Sequence, residues 1–304
     1  MDKTIHFSDP GLEWAARNSA LAKTQGDICY EELGCVKFLL LPENTVDISQ
    51  IIYFPNLESI SVTSSDISLD ILTELPKLKS LSIDNPSDSQ IESLRNLKGL
   101  EGLALLPFNR NEFRNFAALG EIKNLKRLVI FSATVCIVDI ETIGCCRGLE
   151  KLSLLTMVNH DNYEGLASLH GLRALDVSYI KNETLPSLCD TLSRLPELEE
   201  LKLTDPTIVN ISSIVGLRSL KALSLNTVNL HDLSPVAELS RLETLTLKDM
   251  SLRDLRCLND MHNLKLIRLV DTEVEEIDSF HSKEMIQIMD QDTYNELSHL
   301  NNNE

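Results

Sequence analysis

Between Leu220 and Leu247 the chain reads LKALSLNTVNLHDLSPVAELSRLETLTL. The triplet L-x-x-L-x-L opens this stretch at Leu220, Leu223 and Leu225 and restarts at Leu242, Leu245 and Leu247, a period of 22 residues. Such spacing is not a helical stripe: Leu223 and Leu225 alternate inward on a short strand that Leu220 enters. One unit cannot bury its own apolar edge, so it has to stack on copies of itself. The copies start at Val36, Leu57, Leu78, Leu100, Leu125, Leu149, Leu172, Leu198, Leu220, Leu242 and Leu264, each followed by an apolar residue three and five positions on. Eleven stacked parallel strands are expected.

Over residues 36 to 269 this pattern resembles the leucine-rich repeat family. The resemblance implies an α/β fold, a curved solenoid with a parallel β-sheet of about 11 strands on its concave side and short helical or irregular segments on its convex side. Residues 1–35 do not repeat. Asp9 before Pro10 reads as a helix start, with the carboxylate accepting from free amides and proline at the first helical position. Leu12, Ala15, Ala16 and Leu21 supply the buried stripe, and a second helix is expected at Tyr30 to Leu33. The strings FSDPGLEWAAR and GDICYEEL resemble the helical N-terminal cap of bacterial internalin-type repeat proteins. One departure is Cys29, where Ser or Thr is the expected N-cap. The predicted organisation is a helical cap at 1–35, repeats at 36–272, and a C-terminal cap with an acidic tail at 273–304. In that last part Phe280, Met285, Ile286, Ile288 and Met289 supply an amphipathic cover for the final coil.

Spacings between strand starts are 21, 21 and 22 residues, then 25, 24, 23 and 26, then 22, 22 and 22. The longer middle repeats are predicted to carry short amphipathic helices at Asn109 to Leu119 and Thr184 to Leu195. The slot where the family places a turn asparagine reads Asn44, Ser65, Pro86, Asn109, Ala133, Met157, Ile180, Pro206, Val228, Met250 and Thr272. Turn amides must therefore be satisfied by backbone or water, and looser turns are expected. The residue after each strand start alternates in sign: Lys37, Glu58, Lys79, Glu101, Lys126, Glu150, Arg173, Glu199, Lys221, Glu243, Lys265. On strands roughly 5 Å apart each charge lies between two opposite ones, and a slip by one coil brings like charges together.

Functional residues are sought on the outward strand positions, where acids and bases nearly balance. In the middle repeats these turn apolar at Leu106, Pro107, Phe108, Val129, Phe131, Leu155 and Tyr179, with Arg127, Lys151 and Asp176 beside them as orienting charges. An apolar cluster on a polar sheet face has the composition of an interface centre. The competing expectation is that the loop from Phe108 to Phe116 folds over and covers it.

Lys and Arg total 28 against 46 Asp and Glu, a net charge of -18, which argues against a nucleic-acid partner. Residues 271–304 hold ten of those acids and only Lys283 as a base. No stretch is apolar and long enough to span a bilayer, and MDKTIHFSDPGLEW lacks a signal-peptide core, so a cytoplasmic location is expected, with secretion as the alternative. The seven cysteines form no C-x-x-C pair, so neither a disulfide framework nor zinc is indicated. Cys146 occupies a core slot beside Cys145. No catalytic motif or cofactor site is found; His160 with Asp161 and His262 read as solvated loop residues. The resulting expectation is a non-enzymatic, bacterial, acidic protein-binding module, acting as a monomer or weak dimer. It is an intracellular binder or inhibitor of another protein through the central concave face; an exported adhesin or host-directed effector is the alternative.

Overall fold

The computed structural model describes residues 4–21, 23–63, 67–108, 112–113, 116–133, 137–156, 162–230 and 232–295. Its contacts fall into two compact units, residues 1–157 and 158–304. Both units have the α/β architecture of a leucine-rich repeat solenoid, in which each coil is a short strand followed by a 3-10 or α-helical segment.

In the first unit six parallel strands follow one another: β1 (Phe38–Leu41), β2 (Ser59–Val62), β3 (Ser80–Asp84), β4 (Gly102–Leu106), β5 (Arg127–Ser132) and β6 (Lys151–Thr156). The inward row runs in register through Leu39, Ile60, Leu81, Leu103, Leu128 and Leu152. None of these is more than 3% exposed. Burying one such side chain is worth about 2 kcal/mol, which outweighs any surface pair on the same coil. The apolar triplet, and not charge, therefore sets the stack.

The N-terminal cap closes this row. Asp9 caps the helix Pro10–Trp14 by accepting from the Leu12 amide at 2.8 Å. The same carboxylate accepts from the Val46 and Asp47 amides, each at 2.9 Å, so it ties the cap to the first coil. Gly11 is pressed against that coil: a Cβ there would stand 2.8 Å from the Thr45 Cα. Leu12, Ala15 and Ala16 are fully buried. The second helix runs Tyr30–Leu33, and its start is held by Glu32, which accepts from the Cys29 amide at 2.7 Å. The weak N-cap is thus compensated from the helix itself.

The expected helix from Asn109 to Leu119 is not what forms. Glu112–Phe113 is a short strand beside Ile137–Val138, and a 3-10 turn spans Phe116–Glu121; residues 109–111 lie outside the described residues. Strand pairing with the next coil competes with helix there, a contact that local periodicity does not register.

The second unit has six further parallel strands: β7 (Ala174–Ser178), β8 (Glu200–Thr204), β9 (Ala222–Asn226), β10 (Thr244–Lys248), β11 (Leu266–Val270) and β12 (Ile286–Met289). The α-helix Leu185–Ser193 replaces a short turn, with Leu185, Leu188, Cys189 and Leu192 buried as the sequence predicts. β12 goes beyond the eleven strands expected. It pairs with β11, placing Ile286 against Ile267. Phe280 is buried, but Ile288, which continues the inward row beside Leu269, is 69% exposed, so the expected amphipathic cover is an edge strand whose inward side stays open among the described residues.

Turns lacking the family's asparagine are closed by backbone. Tyr179, Thr227, Asp249 and Asp271 take left-handed φ values of 58°, 52°, 52° and 44°. Their amides donate to carbonyls of the following coil, those of Thr204, Lys248, Val270 and Met289, at 2.8, 2.8, 3.0 and 3.2 Å. Asn85 does the same in the first unit, donating to the Leu106 carbonyl at 2.9 Å. Asparagine is used instead at the other end of the strand, where Asn56, Asn124 and Asn263 donate to the Gly34, Lys98 and Ser240 carbonyls of the preceding coil. A β-branched residue in the left-handed region is strained by roughly 1 kcal/mol. Thr227→Asn keeps the amide bond and relieves that strain, so it should raise stability by about 0.5 to 1 kcal/mol in chemical denaturation.

The alternating charges resolve into discrete pairs. Lys37 meets Glu58 at 3.0 Å, Lys79 meets Glu101 at 3.3 Å and Lys126 meets Glu150 at 3.1 Å. In the second unit Lys221 meets Glu199 at 2.7 Å and Lys265 meets Glu243 at 2.6 Å, while Arg173 turns to Glu197 at 3.6 Å. Hydrogen bonds from Lys37, Lys221 and Lys265 hold the carboxyls of Glu58, Glu199 and Glu243 below their usual range. Each of these carboxylates has one amine within ion-pair distance. Exposed pairs of this kind contribute little apiece, and their role is to penalise a slipped register.

Candidate functional site

In the first unit the outward strand residues form three rows across the sheet. The first runs Phe38, Ser59, Ser80, Gly102, Arg127, Lys151 and the second Leu40, Ser61, Ser82, Ala104, Val129, Ser153. The third pairs Asp84 with Leu106, and Phe131 with Leu155. The face is thus small and polar on β2 and β3, and apolar toward β5 and β6.

Two short-range devices hold the apolar end. The buried Ser132 hydroxyl donates to the Pro107 carbonyl at 3.2 Å, fixing the end of β4 to the end of β5. The chain then turns, with the Phe108 amide donating to the Leu106 carbonyl at 2.9 Å. This places the Phe108 ring edge-on to Phe131, with centroids 6.0 Å apart and an interplanar angle of 79°. Such a pair adds about 0.5 to 1.5 kcal/mol beyond its burial. Phe131 remains 39% exposed, and Leu106, Phe108, Val129 and Leu155 are half-buried. Among the described residues, then, the loop from Phe108 leans on the patch without sealing it, while Phe116 is buried on the helical side.

Arg127 and Lys151 are exposed neighbours in register on β5 and β6. The Arg127 guanidinium lies across Gly102: a Cβ at that glycine would stand 3.5 Å from its Nε. At the far end of the face Asp84 is half-buried beside Leu106, and burial pushes its carboxyl above the ordinary range. Neither Gly102 nor Asp84 stood out in the sequence. Both occupy outward positions that the period of two assigns, so a full reading of each row finds them. Phe38 and Leu40, 46% and 36% exposed on β1, occupy outward positions by the same parity.

In the second unit Lys202 donates to Asp176 at 2.8 Å. Burial pushes the Asp176 carboxyl up and Lys202 only partly offsets this. Its other oxygen, Oδ1, is buried with no hydrogen-bond partner among the described residues. Tyr179, with its left-handed backbone, presents a ring that is 41% exposed. Thus Asp176 is an ion-paired residue with one unsatisfied oxygen, and Tyr179 is an exposed aromatic held at a strained position.

Other sequence candidates carry less. His160 and Asp161 lie outside the described residues, and His262 is exposed. The six described cysteines are free thiols. Burial, with a smaller push from Cys145, raises the Cys146 thiol to about 12, and burial raises Cys189 to about 11, so neither supplies a thiolate near neutral pH. Among the described residues no group of three metal-binding side chains occurs, and no helix is long and apolar enough to cross a membrane.

No protein-family model matches the sequence, and no curated protein matches it significantly. Solved structures do match. An internalin, InlF, from Listeria monocytogenes is 20% identical with a TM-score of 0.54, and the match covers 93% of this chain and 95% of that one. TLR13, solved in a complex with ssRNA13, is 21% identical with a TM-score of 0.54 over 78% of this chain and 39% of that one. At these identities the likeness establishes the leucine-rich repeat fold, with the internalin matching over nearly its whole length.

Proposed function

We propose that this chain is a non-enzymatic interaction module that binds another protein through the outward sheet face of its first unit, centred on Phe131. One observation carries the reading. Phe131 keeps 39% of its surface exposed although Phe108, Leu155, Val129 and Leu106 surround it, and the small, polar strands β2 and β3 separate this cluster from Phe38 and Leu40 on β1. A rigid sheet presenting an aromatic anchor ringed by apolar side chains and rimmed by charges has the make-up of an interface hot spot. In the second unit Asp176 and Tyr179 are proposed as contributors in their own right. Tyr179 accepts left-handed strain that Asn or Asp would tolerate better, and the ring is what that strain retains.

The six free thiols among the described residues support a reducing compartment and hence an intracellular binder or inhibitor, acting as a monomer or weak dimer, over an exported one. The test is capture of partners from native lysate by the intact chain beside a Phe131→Asp, Leu155→Asp variant whose fold is verified by circular dichroism. A partner kept by the first and lost by the second supports the reading; equal retention overturns it.

A further inference from the structure

In the outward rows of β1–β6 and of β7–β12, the described registers place like charges side by side at one pair. Asp176 lies beside Lys202 and pairs with it, whereas Arg127 lies directly beside Lys151. The two cationic side chains leave strands about 4.8 Å apart, a neighbouring pair of like charges that is destabilising on a sheet, and Arg127 leans away from Lys151 toward Gly102. Among the described residues neither has an ion-pair partner, although neighbouring lysines are matched coil by coil. The Arg127 guanidinium is also set in advance, lying over a glycine whose absent side chain leaves the room.

Resting on the proposed binding face, we infer that Arg127 and Lys151 form an acceptor for a carboxylate of the partner, and that the partner segment is acidic and apolar. Its carboxylate is held between the two cations, and an aromatic or leucine side chain of the same segment sits against Phe131, Leu155 and Leu106. Positions 127 and 131 are four steps apart along the strand, which sets the two contacts about 13 Å apart. The bound carboxylate removes the repulsion that the free protein carries, so the pair is stabilised only in the complex. A phosphate backbone is the less favoured occupant, because two cations on a chain of net charge -18 neutralise too few phosphates.

The test is selection of phage-displayed random 16-residue peptides on three folded proteins: the intact chain, Arg127→Glu with Lys151→Glu, and Phe131→Asp with Leu155→Asp. A single-stranded 20-mer RNA is titrated in parallel, and Lys151→Glu alone is melted beside the intact chain. The expected peptides carry Asp or Glu spaced from Phe, Trp or Leu, and lose more than tenfold in affinity on the charge-reversed protein. Lys151→Glu should raise the melting temperature by about 1 to 2 °C, because it turns a repulsive pair into an attractive one. Peptides that bind the charge-reversed protein equally well but not the Phe131→Asp protein would overturn the acidic acceptor and leave the face intact. Peptides indifferent to both variants, no enrichment on the intact chain, or RNA bound in preference to peptide would overturn both. A lower melting temperature for Lys151→Glu would remove the repulsion on which the inference rests.

Discussion

Asp9→Ala should lower the free energy of unfolding by about 3 kcal/mol. The side chain is 2% exposed and receives three backbone amides, one from the helix it caps and two from the first coil. Losing an N-cap costs about 1 kcal/mol, and each part-buried coil amide left without its carboxylate about 1 kcal/mol. In a stacked repeat the loss does not stay local. The cap covers the first inward row, Leu39, Leu41 and Phe54, all fully buried, and each coil is supported only by its neighbours. Amide hydrogen exchange should therefore show residues 10–54 losing protection first, with the second unit changed far less.

The same residue gives a pH dependence of definite sign. Burial pushes the Asp9 carboxyl up, but the amides of Val46, Leu12 and Asp47 outweigh it and hold it below its ordinary value. A folded value below the unfolded one stabilises the protein above the ordinary carboxylate range, and that contribution is lost as pH falls through the folded value. The stability gap between the intact chain and Asp9→Ala should accordingly be full at neutral pH and narrow in acid. A gap independent of pH would mean that the substitution acts through lost packing instead.

The largest expected effect on binding comes from Phe131→Asp with Leu155→Asp. Both side chains face outward, so the fold should persist, with a stability loss of about 1 to 3 kcal/mol from the lost Phe108–Phe131 contact and the two neighbouring carboxylates. A buried anchor at an interface centre contributes about 2 kcal/mol or more, and a carboxylate in its place adds a desolvation cost. Together the two substitutions should weaken the partner at least 100-fold, as measured by titration calorimetry with the captured protein. Tyr179→Asn tests the second unit separately: it relaxes the left-handed strain, and reduced affinity alongside higher stability would mark Tyr179 as a residue retained for contact.

Much of the stack was legible in the sequence, because the triplet at Leu220, Leu223 and Leu225 carries its own period and every copy places residues of the same kind inward. The Asp9-Pro10 start and the helix Leu185–Ser193 were equally local, and formed as expected. What escaped depends on contacts between coils. Glu112–Phe113 is a strand only because Ile137–Val138 lies beside it, and Ile286–Met289 only because β11 offers an edge. The face around Phe131 could be located by parity alone, and parity put Arg127 and Lys151 on it. That Phe108 would turn its edge onto Phe131, and that Gly102 would make room for a guanidinium, are facts of neighbouring strands.

The most direct measurement places a benzoylphenylalanine photocrosslinker at position 131 and, in a separate protein, at position 52, which is exposed on the helical side of the same unit. Both proteins are irradiated with the captured partner. The account predicts a crosslink from position 131 that the peptides selected on the intact chain compete away, and none from position 52. A crosslink from position 52 alone, or equal crosslinking from both, would contradict it.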